Sequence, residues 1–128
     1  LIRSDGLLHG GKVKLSAKGD IFTSSILSSS NVVAGNISVV STVGSINADY
    51  IDSSGYAGGG AVTLTATDGD IQSEYIDTSA ANTGNVKITA GGSSDTGEIF
   101  VLIQRQVAVL LVMEARSLLR LRVILNLD

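Results

Sequence analysis

Apolar residues along this chain fall into columns rather than into a helical stripe. Glycines at Gly11, Gly35, Gly60 and Gly84 mark units spaced 24, 25 and 24 residues apart. Two residues after each glycine stand Val13, Ile37, Val62 and Val86; four after stand Leu15, Val39, Leu64 and Ile88; six after stand Ala17, Ser41, Ala66 and Ala90. Apolar residues alternating with period two predict a strand with one buried and one solvated face. Later in each unit Ile21, Ile46 and Ile71 recur every 25 residues, as do Ile26, Ile51 and Ile76. The opening IRSDGLLHGGKV aligns without a gap on IDSSGYAGGGAV at Ile51, so the chain is expected to begin in mid-repeat.

Alternating strands punctuated by Gly, Ser, Asn and Asp at a long fixed period predict an all-β fold. Specifically, they predict a parallel β-helix (β-solenoid) of about 24–25-residue coils over residues 1–100. Each turn of chain makes one coil, and equivalent residues stack at the spacing of neighbouring strands, about 4.8 Å. A hairpin sheet has no need for isoleucine at a fixed long period, and the leucine and asparagine signature of a leucine-rich repeat is missing. A few aliphatic side chains per coil do not offset the entropy of ordering a whole coil, so stability has to come from stacking.

Composition sharpens this picture. With no cysteine there is no disulfide framework and no cysteine-based zinc site. Residues 1–100 hold five Lys/Arg against ten Asp/Glu, a balance of −5, and the last 28 residues hold four Arg against two acids, a balance of +2. A mildly acidic body without a basic stripe argues against nucleic acid as a partner.

The run GG-x-V-x-L-x-A leading into GDI, followed by IDSSG, resembles the repeat region of filamentous haemagglutinin-like exoproteins, most of all the very large cyanobacterial ones. The residues that carry the resemblance are Gly10, Gly11, Val13, Leu15, Ala17, Gly19, Asp20 and Ile21. They recur as Gly59, Gly60, Val62, Leu64, Ala66, Gly69, Asp70 and Ile71. The resemblance implies a right-handed parallel β-helix exported by two-partner secretion through an outer-membrane partner. It also implies a place outside or on the outer membrane of a Gram-negative bacterium, as a stalk or adhesin facing cell-surface or matrix carbohydrate or protein. The expected role is thus structural and non-enzymatic, with no cofactor. A carbohydrate-active β-helix enzyme and a carrier stalk for a toxin domain stay open as alternatives.

Residues 101–128 break the pattern. All fifteen glycines lie at or before Gly97, while four of the five arginines lie beyond it. A helical cap over the last coil is one expectation, since Leu111, Ala115, Leu118 and Leu119 have i, i+4, i+7, i+8 spacing. A membrane span is not expected, because Arg116, Arg120 and Arg122 interrupt the apolar run well short of the roughly 20 residues required. The third expectation is a slipped reading frame. With suitable codons, a shifted frame of the tail can spell the glycine pair, the alanine and the Gly-Asp-Ile of the Gly10 to Ile21 stretch at the same spacing, with a Val-x-Ile pair where that stretch has Val13 and Leu15.

The sharpest chemical constellation is DYID at Asp49 to Asp52 over EYID at Glu74 to Asp77. Stacked coils would bring together Asp49 and Glu74, Tyr50 and Tyr75, and Asp52 and Asp77. Adjacent carboxylates suit a hard cation such as calcium or an acid/base pair, and they equally suit a solvated acidic ladder at a turn. The last reading is favoured, because the preceding unit has Ser24 and Leu27 at the matching places. No catalytic, cofactor or metal residues are therefore assigned. Asp20 and Asp70 read as turn residues, and His9, the single histidine, reads as an exposed turn residue without a triad motif around it. Asn36 in NIS matches a glycosylation sequon at a strand start, and the glycines Gly58 to Gly60 read as a turn rather than a phosphate cradle.

Overall fold

The computed structural model describes residues 1–92, 94–106 and 117–125. The chain winds as a parallel β-solenoid in which two sheets enclose a narrow apolar core. One sheet is four-stranded, in the order β2 (Val13–Ala17), β4 (Ile37–Ser41), β6 (Val62–Ala66) and β9 (Val86–Ala90). The other runs β1 (Ile2–Arg3), β3 (Ile21–Leu27), β5 (Ile46–Asp52), β7 (Ile71–Asp77), β10 (Ser94–Gln106) and β11 (Ser117–Leu125), with β8 (Ala80–Asn82) also pairing on β10. Single parallel bridges close the third side, linking Gly6 to Ser30 to Gly55 and His9 to Val33 to Gly58.

The columns seen in the sequence are the register. Val13 pairs with Ile37, Ile37 with Val62 and Val62 with Val86, and the Leu15 and Ala17 columns follow in step. Ile21 pairs with Ile46 and Ile46 with Ile71. Ile2 pairs with Ile26, which continues through Ile51 to Ile76, so the opening residues occupy the coil position that their alignment predicted. Ile26, Ile51, Val62, Leu64 and Ile76 are completely buried.

The two isoleucine columns are five residues apart, an odd number that strict alternation does not allow. Burial in β5 and β7 shows how both come to face inward. Ala48 is buried, Asp49 and Tyr50 both turn outward, and Ile51 is buried again; Ser73, Glu74, Tyr75 and Ile76 repeat the slip. The strand bends there, and the slip puts an acid and a tyrosine side by side on the outer surface of these two coils.

Coils are clamped to each other at their corners. The Ser41 hydroxyl donates to the Gly19 carbonyl at 2.8 Å, the Ser53 hydroxyl to the Gly35 carbonyl at 2.6 Å, and the Ser28 hydroxyl to the Gly11 carbonyl. Asn36 Oδ1 accepts the Ala61 N–H at 2.9 Å. The glycine column is required by close approach: a Cβ on Gly60 would lie 2.1 Å from the Gly35 carbonyl oxygen.

Past residue 92 the second sheet continues with a shorter step. Ser94 pairs with Ile71, an offset of 23, and Ser117 pairs with Ser94, again an offset of 23. The helical spacing of the tail is not realised at Leu118 and Leu119, which lie in β11. The sequence from Leu119 to Leu125 also alternates, with Arg120 and Arg122 between aliphatics, and an open edge on β10 offers such a segment a complete row of backbone partners. Leu111 and Ala115 lie outside the described residues, and so does the middle of the tail from 107 to 116. Among the described residues no helix is long and apolar enough to cross a membrane.

Candidate functional site

The acid and tyrosine ladder forms as the repeat predicted. Tyr50 pairs with Tyr75 and Asp52 with Asp77, and the same offset of 25 on both sides sets Asp49 beside Glu74. The tyrosine rings are stacked in parallel with centroids 5.0 Å apart. The ladder stops at the first coil, where Ser25 stands next to Tyr50 and Leu27 next to Asp52.

The two pairs of carboxylates differ in their surroundings. Asp49 and Glu74 are exposed. Asp52 and Asp77 close turns: Asp52 Oδ1 accepts both the Ser54 N–H at 2.8 Å and the Ser54 hydroxyl at 2.6 Å, and Asp77 Oδ1 accepts the Ser79 N–H at 2.8 Å. Side-chain bonds of this kind are the usual way aspartate fixes a turn. Burial holds the Asp77 carboxyl above its ordinary range; the Ser79 hydrogen bonds work against that rise, and the neighbouring Asp52 charge adds to it. The Tyr50 hydroxyl is also held up, by burial first and then by the charges of Asp52 and Asp77.

What the arrangement can do chemically follows from these partners. Among the described residues no group of three or more His, Cys, Asp or Glu could hold a metal ion. The ladder also lies outside two surface hollows, one bordered by Asp5, Leu7 and Asn31 and the other by Leu15, Ile21 and Phe22. Asp52 and Asp77 together form a turn-closing pair whose outer side carries stacked aromatics.

The other singled-out residues are spread over separate corners. Asp20 Oδ1 accepts the Ser45 N–H of the next coil at 2.7 Å, and Ser45 Oγ accepts the Asp70 N–H at 3.0 Å, so the GDI motif links turn to turn. His9 is exposed and bridges to Val33 on the third side. Asn36 precedes β4 and uses its side-chain oxygen on Ala61. Gly58 to Gly60 lie in a turn that leads into β6 rather than into a helix.

Two features escaped the sequence reading. The inner hydroxyl column of Ser28, Ser53 and Thr78 is fully buried, and its signal is a hydroxyl residue recurring every 25 residues. The amides of Asn47 and Gln72 join across coils, Asn47 Nδ2 donating to Gln72 Oε1 at 3.0 Å.

No protein-family model, no curated protein and no solved structure matches the chain.

Proposed function

We propose that the chain is a stalk or scaffold segment of an adhesin-like exoprotein, displayed at the surface of a Gram-negative bacterium. The observation that carries this reading is the continuity of the stacked columns. Val13 through Val86 and Ile2 through Ile76 run without an interruption in register. Such a stack bears load along its axis through backbone hydrogen bonds and extends by adding coils. The likeness of its GG-x-V-x-L-x-A and GDI segments to filamentous haemagglutinin-like repeats adds the surface location, export through an outer-membrane partner, and cell-surface or matrix carbohydrate or protein as the material contacted. Enzymatic activity has no part in this role.

The test is a pair of deletions in the native host. Removing residues 36–60, one coil in phase, should leave surface display and attachment intact while shortening the stack. Removing a half-coil of about 12 residues should abolish folding, because a phase error turns buried columns outward. Attachment lost after the in-phase deletion, with display retained, would contradict a scaffold role.

Adjacent carboxylates at Asp52 and Asp77, one of them pushed above the usual carboxylate range by burial, favour a second reading as a carbohydrate-active enzyme. Polysaccharide cleavage that disappears in Asp52→Asn/Asp77→Asn would support it, and absence of cleavage by the parent chain would sink it.

A further inference from the structure

The four-stranded sheet and the β3, β5 and β7 part of the other sheet carry opposite charge, while the flanking strands of that second sheet, β1, β10 and β11, hold Arg3, Arg105, Arg120 and Arg122 beside Asp95 and Glu98. The strands of the four-stranded sheet hold Lys14 and Lys87 and no carboxylate, while β3, β5 and β7 hold Asp49, Asp52, Glu74 and Asp77 and no Lys or Arg. Both lysines and both Asp49 and Glu74 are exposed. Among the described residues they form no ion pair; the pair that is formed joins Arg3 to Asp5, two residues away. The apolar core separates the two sheets, so the charges of one cannot reach those of the other within a single stack.

The acidic side also has an aromatic receptor. One face of the Tyr50 ring lies against Tyr75, and the neighbour on its other side is Ser25, too small to cover a ring. Tyr50 is 36% exposed and stands two residues from Asp52. An open aromatic face beside a carboxylate attracts an ammonium group through both the ring quadrupole and the charge.

We propose that this acidic, tyrosine-lined sheet docks side by side on the lysine-bearing sheet of a second copy of the chain. The partner is specified by charge complementarity: each copy holds both halves of the contact on opposite sides. Lys14 and Lys87 lie on the first and last strands of their sheet, three coils apart with Ser38 and Thr63 between them, so a neighbour meets the Asp49 and Glu74 carboxylates with a lysine near either end of the stack. Both sheets repeat along the axis at about 4.8 Å, which keeps the two surfaces commensurate. The contact is heterologous and does not close, so association proceeds laterally into bundles rather than stopping at a dimer. This inference rests on the two sheets alone, so it can fail while the scaffold role stands.

Sedimentation velocity on the full 128-residue chain tests it. Lateral association is expected at about 20 mM salt and should be lost at about 300 mM, where screening shortens the reach of exposed charges. Lys14→Glu/Lys87→Glu and Asp49→Lys/Glu74→Lys should each be monomeric alone at low salt. Mixed in equal amounts they should associate again, since each face of one variant, unaltered or reversed, meets a face of opposite charge on the other. The neutral versions, Lys14→Gln/Lys87→Gln and Asp49→Asn/Glu74→Gln, serve if a reversal disturbs the β-sheet circular dichroism, and each should weaken association at least about tenfold. A monomeric parent at low salt overturns the proposal. So does a mixture that stays monomeric, or association that survives high salt and both variants; the last would point instead to the apolar first coil with Leu7, Leu8 and Phe22.

Discussion

The first and third coils are built from the same columns yet hold their residues very differently. Val62 and Leu64 in the third coil are completely buried, whereas their equivalents in the first leave Val13 at 6% exposure and Leu15 only partly covered. Ile71 is sealed while Ile21 is half open. Residue type hardly differs between the two places. What differs is that a coil covers both sides of the third and one side of the first. Burial in this fold is a property of the neighbours as well as of residue type.

The comparison is broken most forcefully by truncating one column at both places. Leu64→Ala should cost about 3–4 kcal/mol in a denaturant titration, since a cavity opens between Val39 and Ile88. Leu15→Ala should cost about 1 kcal/mol, because that side chain already borders solvent. Equal costs would mean that the first coil is covered in solution.

The glycines give the next largest contrast. Gly60→Ala should destabilise by about 1–3 kcal/mol, because its Cβ would meet the Gly35 carbonyl oxygen at 2.1 Å. Gly19→Ala should be neutral within about 0.5 kcal/mol, as nothing lies within 4 Å of its Cβ. Thermal midpoints of the two variants measured side by side decide this.

The inner hydroxyl column sharpens the contrast between coils. Ser53 donates to Gly35, so Ser53→Ala should cost about 1–2 kcal/mol by leaving a buried carbonyl unpaired. Thr78 stands one coil on, buried and without a hydrogen-bond partner for its hydroxyl. Thr78→Val should therefore be neutral or stabilising by about 1 kcal/mol, and a marked loss in chemical denaturation would reveal a bond to Thr78 in solution.

The smallest effect is electrostatic. The folded carboxyl of Asp77 sits above its unfolded value of about 3.9. Its contribution therefore favours folding below that unfolded value and fades as pH rises through the raised folded one. Asp77→Asn should remove this fading while its amide oxygen still accepts from Ser79. The stability of the variant relative to the parent should then increase from pH ~3 to pH ~7, by no more than about 1 kcal/mol given the partial exposure of the group. A relative stability that is flat or falls with pH would contradict the direction of the shift.

Much of this arrangement was legible because a solenoid converts sequence spacing directly into contact. The Gly11, Val13, Leu15 and Ala17 columns, the Ile2 to Ile76 column, the stacked tyrosines and the Asp20 turn all follow from a period near 25. The bend between Ala48 and Ile51 was not anticipated, since it breaks the alternation on which strand reading depends, although the odd spacing of the isoleucines encodes it. The hydroxyl column escaped because serine in ILSSS and IDSSG reads as ordinary turn composition; only its recurrence at Ser28, Ser53 and Thr78 distinguishes inward from outward. At Leu118 and Leu119 the leucine-rich sequence satisfies both helical and strand spacing, and periodicity alone does not separate the two. The open edge of β10 settles that choice.

The central claim is that residues one coil apart are neighbours across a parallel sheet. The chain has no cysteine, so paired spin labels can be placed cleanly at Asn47→Cys and Gln72→Cys, which face each other in register. Continuous-wave resonance spectra of that pair should be strongly broadened by dipolar coupling, as expected for adjacent strands about 4.8 Å apart. A control pair at Asn47→Cys and Lys87→Cys, on opposite sheets, should not be. Sharp spectra from the 47/72 pair, or equal broadening in both, would contradict the coil.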